Sequence, residues 1–459
     1  MSEIFTNFVA LKKIPMIIEQ IYDKGLAHGS YIIISKNEAA IIDPSRDPQP
    51  YYDFVKNHNA KIVAVIETHP HADFVSSHLQ IANETGAEIY VSQMLGAEYK
   101  HKTFDEGDQI SIGKLVLKSI NTPGHSPDSI CVLLYDEEGN EHALFSGDTL
   151  FVGDVGRPDL RENVGNIRAL KEELSKNMFH SIQSKLKKLN DDVLVYPAHG
   201  AGSLCGKNLS NDLFSTIGRE KLSNYAFQSL SESEFVETLI ADQPFVPKYF
   251  GHNVKLNKAG ANNFKESIKS VKHLTSTKEI EEGVLIIDTR PQVEFRKGHL
   301  KNSINLMDGG KFETWLGSIV SPNEQYYLIA ENSEILESLI SKTAKIGYEA
   351  TIKGAVVFEN MMNELINESD FDIDEFKVDQ TNFSIVDVRN KDEVKAKRIF
   401  DNAIEIPLPE LRERLSEIPL NKPILVHCAG GYRSAAGASI IQQVSKLPVY
   451  DLSEEVLSF

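Results

Sequence analysis

The sequence predicts a multi-domain α/β chain, and three observations carry that prediction. The chain has 459 residues, and at about 150 residues per domain this leaves room for roughly three. The N-terminal half alternates short apolar runs with amphipathic stretches, the pattern of sheets flanked by helices. The C-terminal part carries one small strand–helix unit twice, VLIIDTRPQVEFRKGHLKNSINL at 284–306 and FSIVDVRNKDEVKAKRIFDNAIEIPL at 383–408. Hydrophobic residues make up 41% of the chain and charged residues 25%. A large core can therefore form, and disorder is not the default. The formal net charge of −18 argues against nucleic-acid binding, which draws most of its affinity from neutralised phosphates. It argues equally against a polybasic membrane patch. The opening MSEIFTNFVALKKIP lacks the basic start and unbroken apolar stretch of a signal peptide, and no window approaches the length of an apolar span. Three cysteines in so long a chain cannot form a disulfide framework. A reducing cytoplasm is then the expected setting, and each thiol has to be explained by packing or by chemistry.

Taken in order, residues 31–34 and 39–42 flank SKNE and predict a hairpin. Residues 62–66, IVAVI, predict a buried strand that ends at a histidine cluster. An amphipathic helix over 75–85 follows, closed by Gly86, and further strands are predicted at 88–91, 115–120 and 130–135. The pattern weakens over 241–260, where Pro244, Pro247, Gly251 and Gly260 mark a domain boundary. Domains are expected at 1–250, 261–366 and 370–459, with the acidic segment 367–376 as a solvated connector between the repeats.

Chemistry concentrates in four places in the first domain. Residues 66–78 contain His69-Pro-His71-Ala-Asp73, and the later elements are TPGHSPDS with His125, FSGDTLF with Asp148 and VYPAHGAGS with His199. Each follows an apolar run, so loops at one sheet edge can bring them together. Imidazoles and a carboxylate suit zinc or iron. A lone His-x-His pair arises by chance in loops, but four such elements in order point to a metal centre. The pattern resembles the metallo-β-lactamase superfamily, an αβ/βα sandwich, over about residues 14–235. Where that family's HxHxDH motif ends in His, this chain has Phe74, which cannot ligate a metal, so a mononuclear centre is expected. The segments TPGHSPDS (122–129) and GDTLFVGDVGRPDL (147–160) are similar to those of the persulfide dioxygenases. That resemblance implies one non-heme Fe(II) per chain, held by His69, His125 and Asp148, with O₂ as co-substrate. It leaves His71, Asp73 and His199 to support the ligands or hold water. Such a triad leaves open positions on the ion. After its last motif histidine this chain reads Ala201–Lys207, without the Tyr and His of glutathione-using members, which leaves the carrier thiol open. Arg157 of the GRPD segment reads equally as half of an ion pair with Asp159 or as a contact for an anionic thiol substrate.

The three cysteines separate by context. Residues 424–434, ILVHCAGGYRS, bring Cys428 from a buried strand into a tight loop with Gly430 and Gly431, before a helix expected near Ser434. Backbone N–H groups in such a loop form an anion nest. The helix N-terminus and Arg433 add positive charge, which favours a thiolate. This Cys-x-x-Gly-x-Arg loop resembles the rhodanese family of sulfurtransferases over about 370–459. The other copy, about 261–366, has Glu331-Asn332-Ser333-Glu334 after its strand and is expected to be an inactive rhodanese kept for packing or domain arrangement. Cys205 reads either as a packed small hydrophobe or as a thiol at the rim of the metal site that relays sulfur, and Cys131 as core.

The combined resemblance implies oxidation of a low-molecular-weight persulfide to sulfite and use of a Cys428 persulfide to turn sulfite into thiosulfate. A homo-oligomer, dimer or tetramer, is expected of the family. Two other classes stay open: a zinc thioester hydrolase of the glyoxalase II kind joined to a rhodanese, and a non-catalytic sulfur carrier or sensor.

Overall fold

The computed structural model describes residues 16–160, 171–360, 365–367 and 371–459. The opening fifteen residues and part of the acidic connector lie outside the described residues. Two six-stranded sheets make up the first domain. One contains β1 (Ile17–Asp23), β2 (His28–Ser35), β3 (Glu38–Ile42), β4 (Lys61–Ile66), β5 (Glu88–Val91) and β6 (Lys102–Thr103) in sequential order. The other contains β7 (Gln109–Ile112), β8 (Leu115–Asn121), β9 (Ile130–Tyr135), β10 (Glu141–Gly147), β11 (Leu194–Pro197) and β12 (Ser215–Thr216). The predicted hairpin is β2–β3, paired antiparallel from Tyr31↔Ile42 to Ser35↔Glu38. Residues facing inward from both sheets, among them Ile33, Ile42, Ile66, Leu117, Val132 and Phe145, form one shared core between them. The helix predicted over 75–85 forms as His78–Thr85 and ends at Gly86 in the left-handed region, the usual stop.

The repeats fold as two four-stranded parallel sheets of the same topology. The first orders β13 (Leu285–Asp288), β14 (Ser303–Asn305), β15 (Tyr326–Ala330) and β16 (Ile352–Val357) as β14-β13-β15-β16. The second orders β17 (Ser384–Asp387), β18 (Ile404–Glu405), β19 (Ile424–His427) and β20 (Val449–Asp451) as β18-β17-β19-β20. Fully buried strands with helices on both faces read as short continuous apolar runs, which is how IID and IVD appear in the sequence.

The weak stretch 241–260 carries the helix Phe250–Ala259. Its Asn257 side chain donates to the carbonyls of His71 and Phe74 and accepts from Ser76 N–H, all within 2.9 Å, so this helix braces the histidine loop. Val75 N–H donates to Lys345 O at 2.7 Å, and Lys345 pairs with Asp23 at 2.7 Å. The first repeat is thereby docked on the first domain. Its other side meets the second repeat, where Arg296 pairs with Asp451 at 2.9 Å and Tyr432 Oη donates to Met307 O at 2.8 Å. One apolar cluster runs through all three, from Phe74 and Cys205 through Trp315 and Ile304 to Val426 and Cys428.

Candidate metal centre and sulfur-transfer loop

The four histidine and aspartate elements converge because each follows a strand of the sandwich. His69 follows β4, His125 follows β8, Asp148 follows β10 and His199 follows β11. Asp148 Oδ2 lies 3.4 Å from His125 Nε2 and 3.8 Å from His69 Nε2. Donor atoms of these three buried side chains all fall within 4.8 Å of one another. The imidazoles are set in orientation from behind. Thr68 Oγ1 donates to Asp43 at 2.7 Å and lies 3.0 Å from His69 Nδ1, so it can accept from that ring. His125 Nδ1 donates to Arg157 O at 2.9 Å. Holding the proton on Nδ1 makes each Nε2 the ring atom that can ligate an ion beside Asp148. Both Asp148 carboxylate oxygens are buried without a hydrogen-bond partner, a costly arrangement that a cation would relieve. These residues therefore fit a metal. Gly156 is needed beside them, since a Cβ there would meet Asp148 O at 2.0 Å and the His125 ring at 3.0 Å.

His71 turns away from this point. Its Nε2 lies 3.1 Å from Asp43 and 3.5 Å from Glu67. Burial pulls its pKa down, but Asp43 outweighs that and holds it at about 9, while burial pushes Glu67 up to about 8. Phe74 fills the space between His28 and His71, with ring centroids 3.8 and 4.3 Å away. Asp73 and His199 form a pair at 3.3 Å, and His199 also reaches Asp148 at 3.5 Å. Against burial, these two carboxylates hold the His199 ring well above its ordinary pKa.

Cys205 is not at a rim. It is buried, and its sulfur groups with Asp73 and His199 within 4.8 Å. Burial, Asp148 and Asp73 push its thiol up, which favours the protonated form. Cys131 lies in the core against Thr122, where burial raises it to about 11. The expectation that Arg157 could contact substrate needs correction. Its guanidinium is buried, binds Asp159 through Nε at 2.6 Å and Nη2 at 2.8 Å, and donates through Nη1 to Leu204 O and Phe245 O. It ties three loops together and presents no free edge to an anion.

In the second repeat, β19 delivers Cys428 into a loop whose N–H groups face its sulfur, Gly431 N at 3.2 Å and Gly430 N at 3.5 Å. Gly431 has φ +100°, where a side chain would be strained, and this turn directs both N–H groups inward. The helix begins at Tyr432, two residues before the expected start. Arg433 does not touch the thiol. It makes a two-pronged pair with Glu393 at 2.5 and 2.7 Å and lies 5.9 Å from the Trp315 ring centroid. It acts as a fixed positive charge beside the loop. Asp387 and Arg389, like Asp288 and Arg290, are buried bidentate pairs that brace each repeat.

Sheet register sets how the loops of the two repeats correspond. Asp288 pairs with Ile329 and Asp387 with His427, so Cys428 corresponds to Ala330, not to Glu331. Asp43, Thr68 and Asn257, which hold the histidine loop, were not singled out from the sequence. Asp43 had a readable signal, a carboxylate at the end of the apolar run AAII.

Comparison with known proteins agrees with this geometry. The metallo-β-lactamase superfamily model matches residues 24–199, and the rhodanese-like domain model matches residues 269–357 and 372–456. The mitochondrial persulfide dioxygenase ETHE1 of Bos taurus is 27% identical over 243 residues, covering 51% of this chain and 84% of that protein. A hydroxyacylglutathione hydrolase of Polaromonas sp. is 30% identical over 211 residues, covering 45% of this chain and 72% of that protein. Among solved structures, a metallo-beta-lactamase from Staphylococcus aureus subsp. aureus COL is 35% identical with a TM-score of 0.68, covering 75% of this chain and 99% of that one. The chain belongs to the metallo-β-lactamase superfamily. Within it, this is a fusion of the metal-binding sandwich with two rhodanese-like domains, related to the persulfide dioxygenases. No helix among the described residues is long and apolar enough to cross a membrane.

Proposed function

We propose that the chain oxidises a low-molecular-weight persulfide with O₂ and converts the sulfite formed into thiosulfate. The observation that carries this reading is the three-donor set of His69, His125 and Asp148, with Phe74, an apolar ring, packed between His28 and His71 beside it. That set suits one Fe(II), which when bound would bring O₂ and a sulfur ligand together and carry electrons between them. Thr68 and the Arg157 carbonyl fix the two imidazoles, and the buried walls exclude bulk water. Asp73 and His199, beside Asp148, hold a proton that can be given to the departing thiolate. The balanced step is RSSH + O₂ + H₂O → RSH + SO₃²⁻ + 2H⁺.

Cys428 handles the second persulfide. Its thiolate attacks the terminal sulfur, the carrier's S–S bond breaks, and the carrier leaves as a thiolate while Gly430 and Gly431 N–H groups steady the sulfur anion. Sulfite then attacks the outer sulfur of the Cys428 persulfide. Its S–S bond breaks, Cys428 recovers the electron pair, and thiosulfate departs. Splitting the transfer into two displacements lowers each barrier.

The test is O₂ uptake by protein loaded anaerobically with Fe(II) or Zn(II), against persulfides of glutathione, coenzyme A and bacillithiol, with sulfite and thiosulfate quantified. Uptake only with iron, with thiosulfate as product, is expected. Thioester hydrolysis by the zinc form without O₂ uptake would establish the hydrolase reading instead, which the 30% identity to a hydroxyacylglutathione hydrolase makes the natural rival.

A further inference from the structure

Between the three domains lies a cavity of about 760 Å³. The loop that carries Cys205 forms one wall through Gly202, Leu204 and Lys207, the first repeat adds Lys311, and the second adds Lys395. Three ammonium groups from three domains thus meet in one space, with Asp242 and Asp392 the acidic residues that line it. In a chain of net charge −18 this is a local reversal of sign. The ammonium groups retain capacity. Among the described residues, Lys311 Nζ donates to Gly202 O alone, at 2.9 Å, and Lys395 stands 3.7 Å from Asp242, longer than a hydrogen bond. Lys207 is more engaged, donating to Thr238 O and Ala241 O.

The cavity is placed between the two reactive centres. Gly202, Ser203 and Leu204 also line a narrow cleft that reaches Asp73, the partner of His199 beside Asp148. On the opposite side, Asp392 and Lys395 belong to the helix Lys391–Ala396, whose Glu393 grips Arg433 next to Cys428. Burial, with the Arg433 guanidinium adding to it, holds the Lys311 ammonium below its ordinary pKa.

We propose that this cavity binds the phosphate-bearing tail of the carrier thiol, with its flexible arm directed along Gly202–Leu204 toward the side of the metal centre where Asp73 stands. Lysines recognise phosphate as point charges without requiring a fixed geometry. A junction between domains is a preferred place for such a site. The inference deepens the persulfide reading and rests on it for what the sulfur end does.

Trp315 is the single tryptophan of the chain. It adjoins Thr314 of the cleft and stacks on Phe245 at 5.8 Å, so its fluorescence can report binding without turnover. The probes are coenzyme A, pantetheine (the same arm without phosphates) and inorganic phosphate, titrated into full-length wild type, Lys311→Glu and Lys395→Glu. Lys395 is exposed and makes no hydrogen bond within 3.5 Å among the described residues, so its variant guards against a folding defect at Lys311. Coenzyme A should bind at least tenfold more tightly than pantetheine or phosphate, weaken with salt, and lose about tenfold in either variant. Equal binding of coenzyme A and pantetheine, of coenzyme A and phosphate, or of coenzyme A to wild type and Lys395→Glu would overturn the site. Failure of the two readings is separable. Lysine-dependent binding of coenzyme A without O₂ uptake on its persulfide would remove the reaction and keep the site. Lysine-independent oxidation of all persulfides would remove the site and keep the reaction.

Discussion

The two rhodanese-like repeats share a sheet order, a register and a buried Asp-x-Arg brace, yet only one has a nucleophile. In the second repeat, three residues separate Cys428 from its helix, and two of them, Gly430 and Gly431, aim N–H groups at sulfur. In the first, Ala330 stands at the equivalent register and only Glu331 and Asn332 precede the helix. Asn332 spends its side chain capping Ile335 N–H at 3.0 Å. Losing one loop residue and both glycines removes the nest as well as the thiol. Charge follows the same division. Glu393 has a counterpart at Glu294, six residues past the repeated aspartate in each copy. Glu393 grips Arg433, whereas Glu294 pairs with the exposed Lys297, because Glu334 takes the place of the arginine. What holds the fold is thus kept in both copies, and the thiol with its ring of N–H groups is kept in one.

The largest test of this contrast is Cys428→Ser. Thiosulfate formation should fall by about a thousandfold or more, as for loss of any covalent nucleophile, while O₂ uptake continues and sulfite accumulates. Persistent thiosulfate with no free sulfite would remove the role given to Cys428. Conversely, Ala330→Cys should gain no transfer activity, and any gain would show that the shorter loop suffices. Next in size are Asp288→Asn and Asp387→Asn. Each leaves a buried arginine underpaired and should cost about 3 kcal/mol, read as matching losses of chemical-denaturation midpoint. A large effect in one copy alone would mean the braces are not equivalent. Gly431→Ala should cost about 1–2 kcal/mol from its φ of +100° and slow transfer about tenfold, whereas Gly430→Ala has open space around the new methyl and should stay milder. The smallest effect separates the acids. Glu393→Gln should slow transfer severalfold by freeing Arg433, and Glu294→Gln should stay within about 0.5 kcal/mol of wild type in stability with unchanged activity.

Local order made much of this readable in advance. His69, His125, Asp148 and His199 each follow an apolar run, so their convergence needed only the sheets to form. Cys428 was marked by glycines and an arginine within six residues. What sequence concealed depends on distance along the chain or on loop length. Asn257 braces the histidine loop from more than 180 residues away, and nothing nearby marks it. Arg157 read equally as a structural or a substrate contact until the carbonyls of Leu204 and Phe245 claimed its guanidinium. A straight count of the 41 residues from Asp387 to Cys428, applied to Asp288, lands on Ile329, because a count cannot see that the first repeat carries one residue more before the end of its β15. Only the pairing of β13 with β15 settles the match on Ala330.

The apolar cluster that runs unbroken from Phe74 to Cys428 bears on inheritance as well as on stability. A gene that discarded the first repeat would lose neither the three-donor set nor any cysteine, yet it would strip cover from both neighbours and leave their oily faces in water. Mutation could silence that copy freely; deletion could not follow. A repeat without a thiol loop has become the keystone between the histidine sandwich and the copy that carries Cys428.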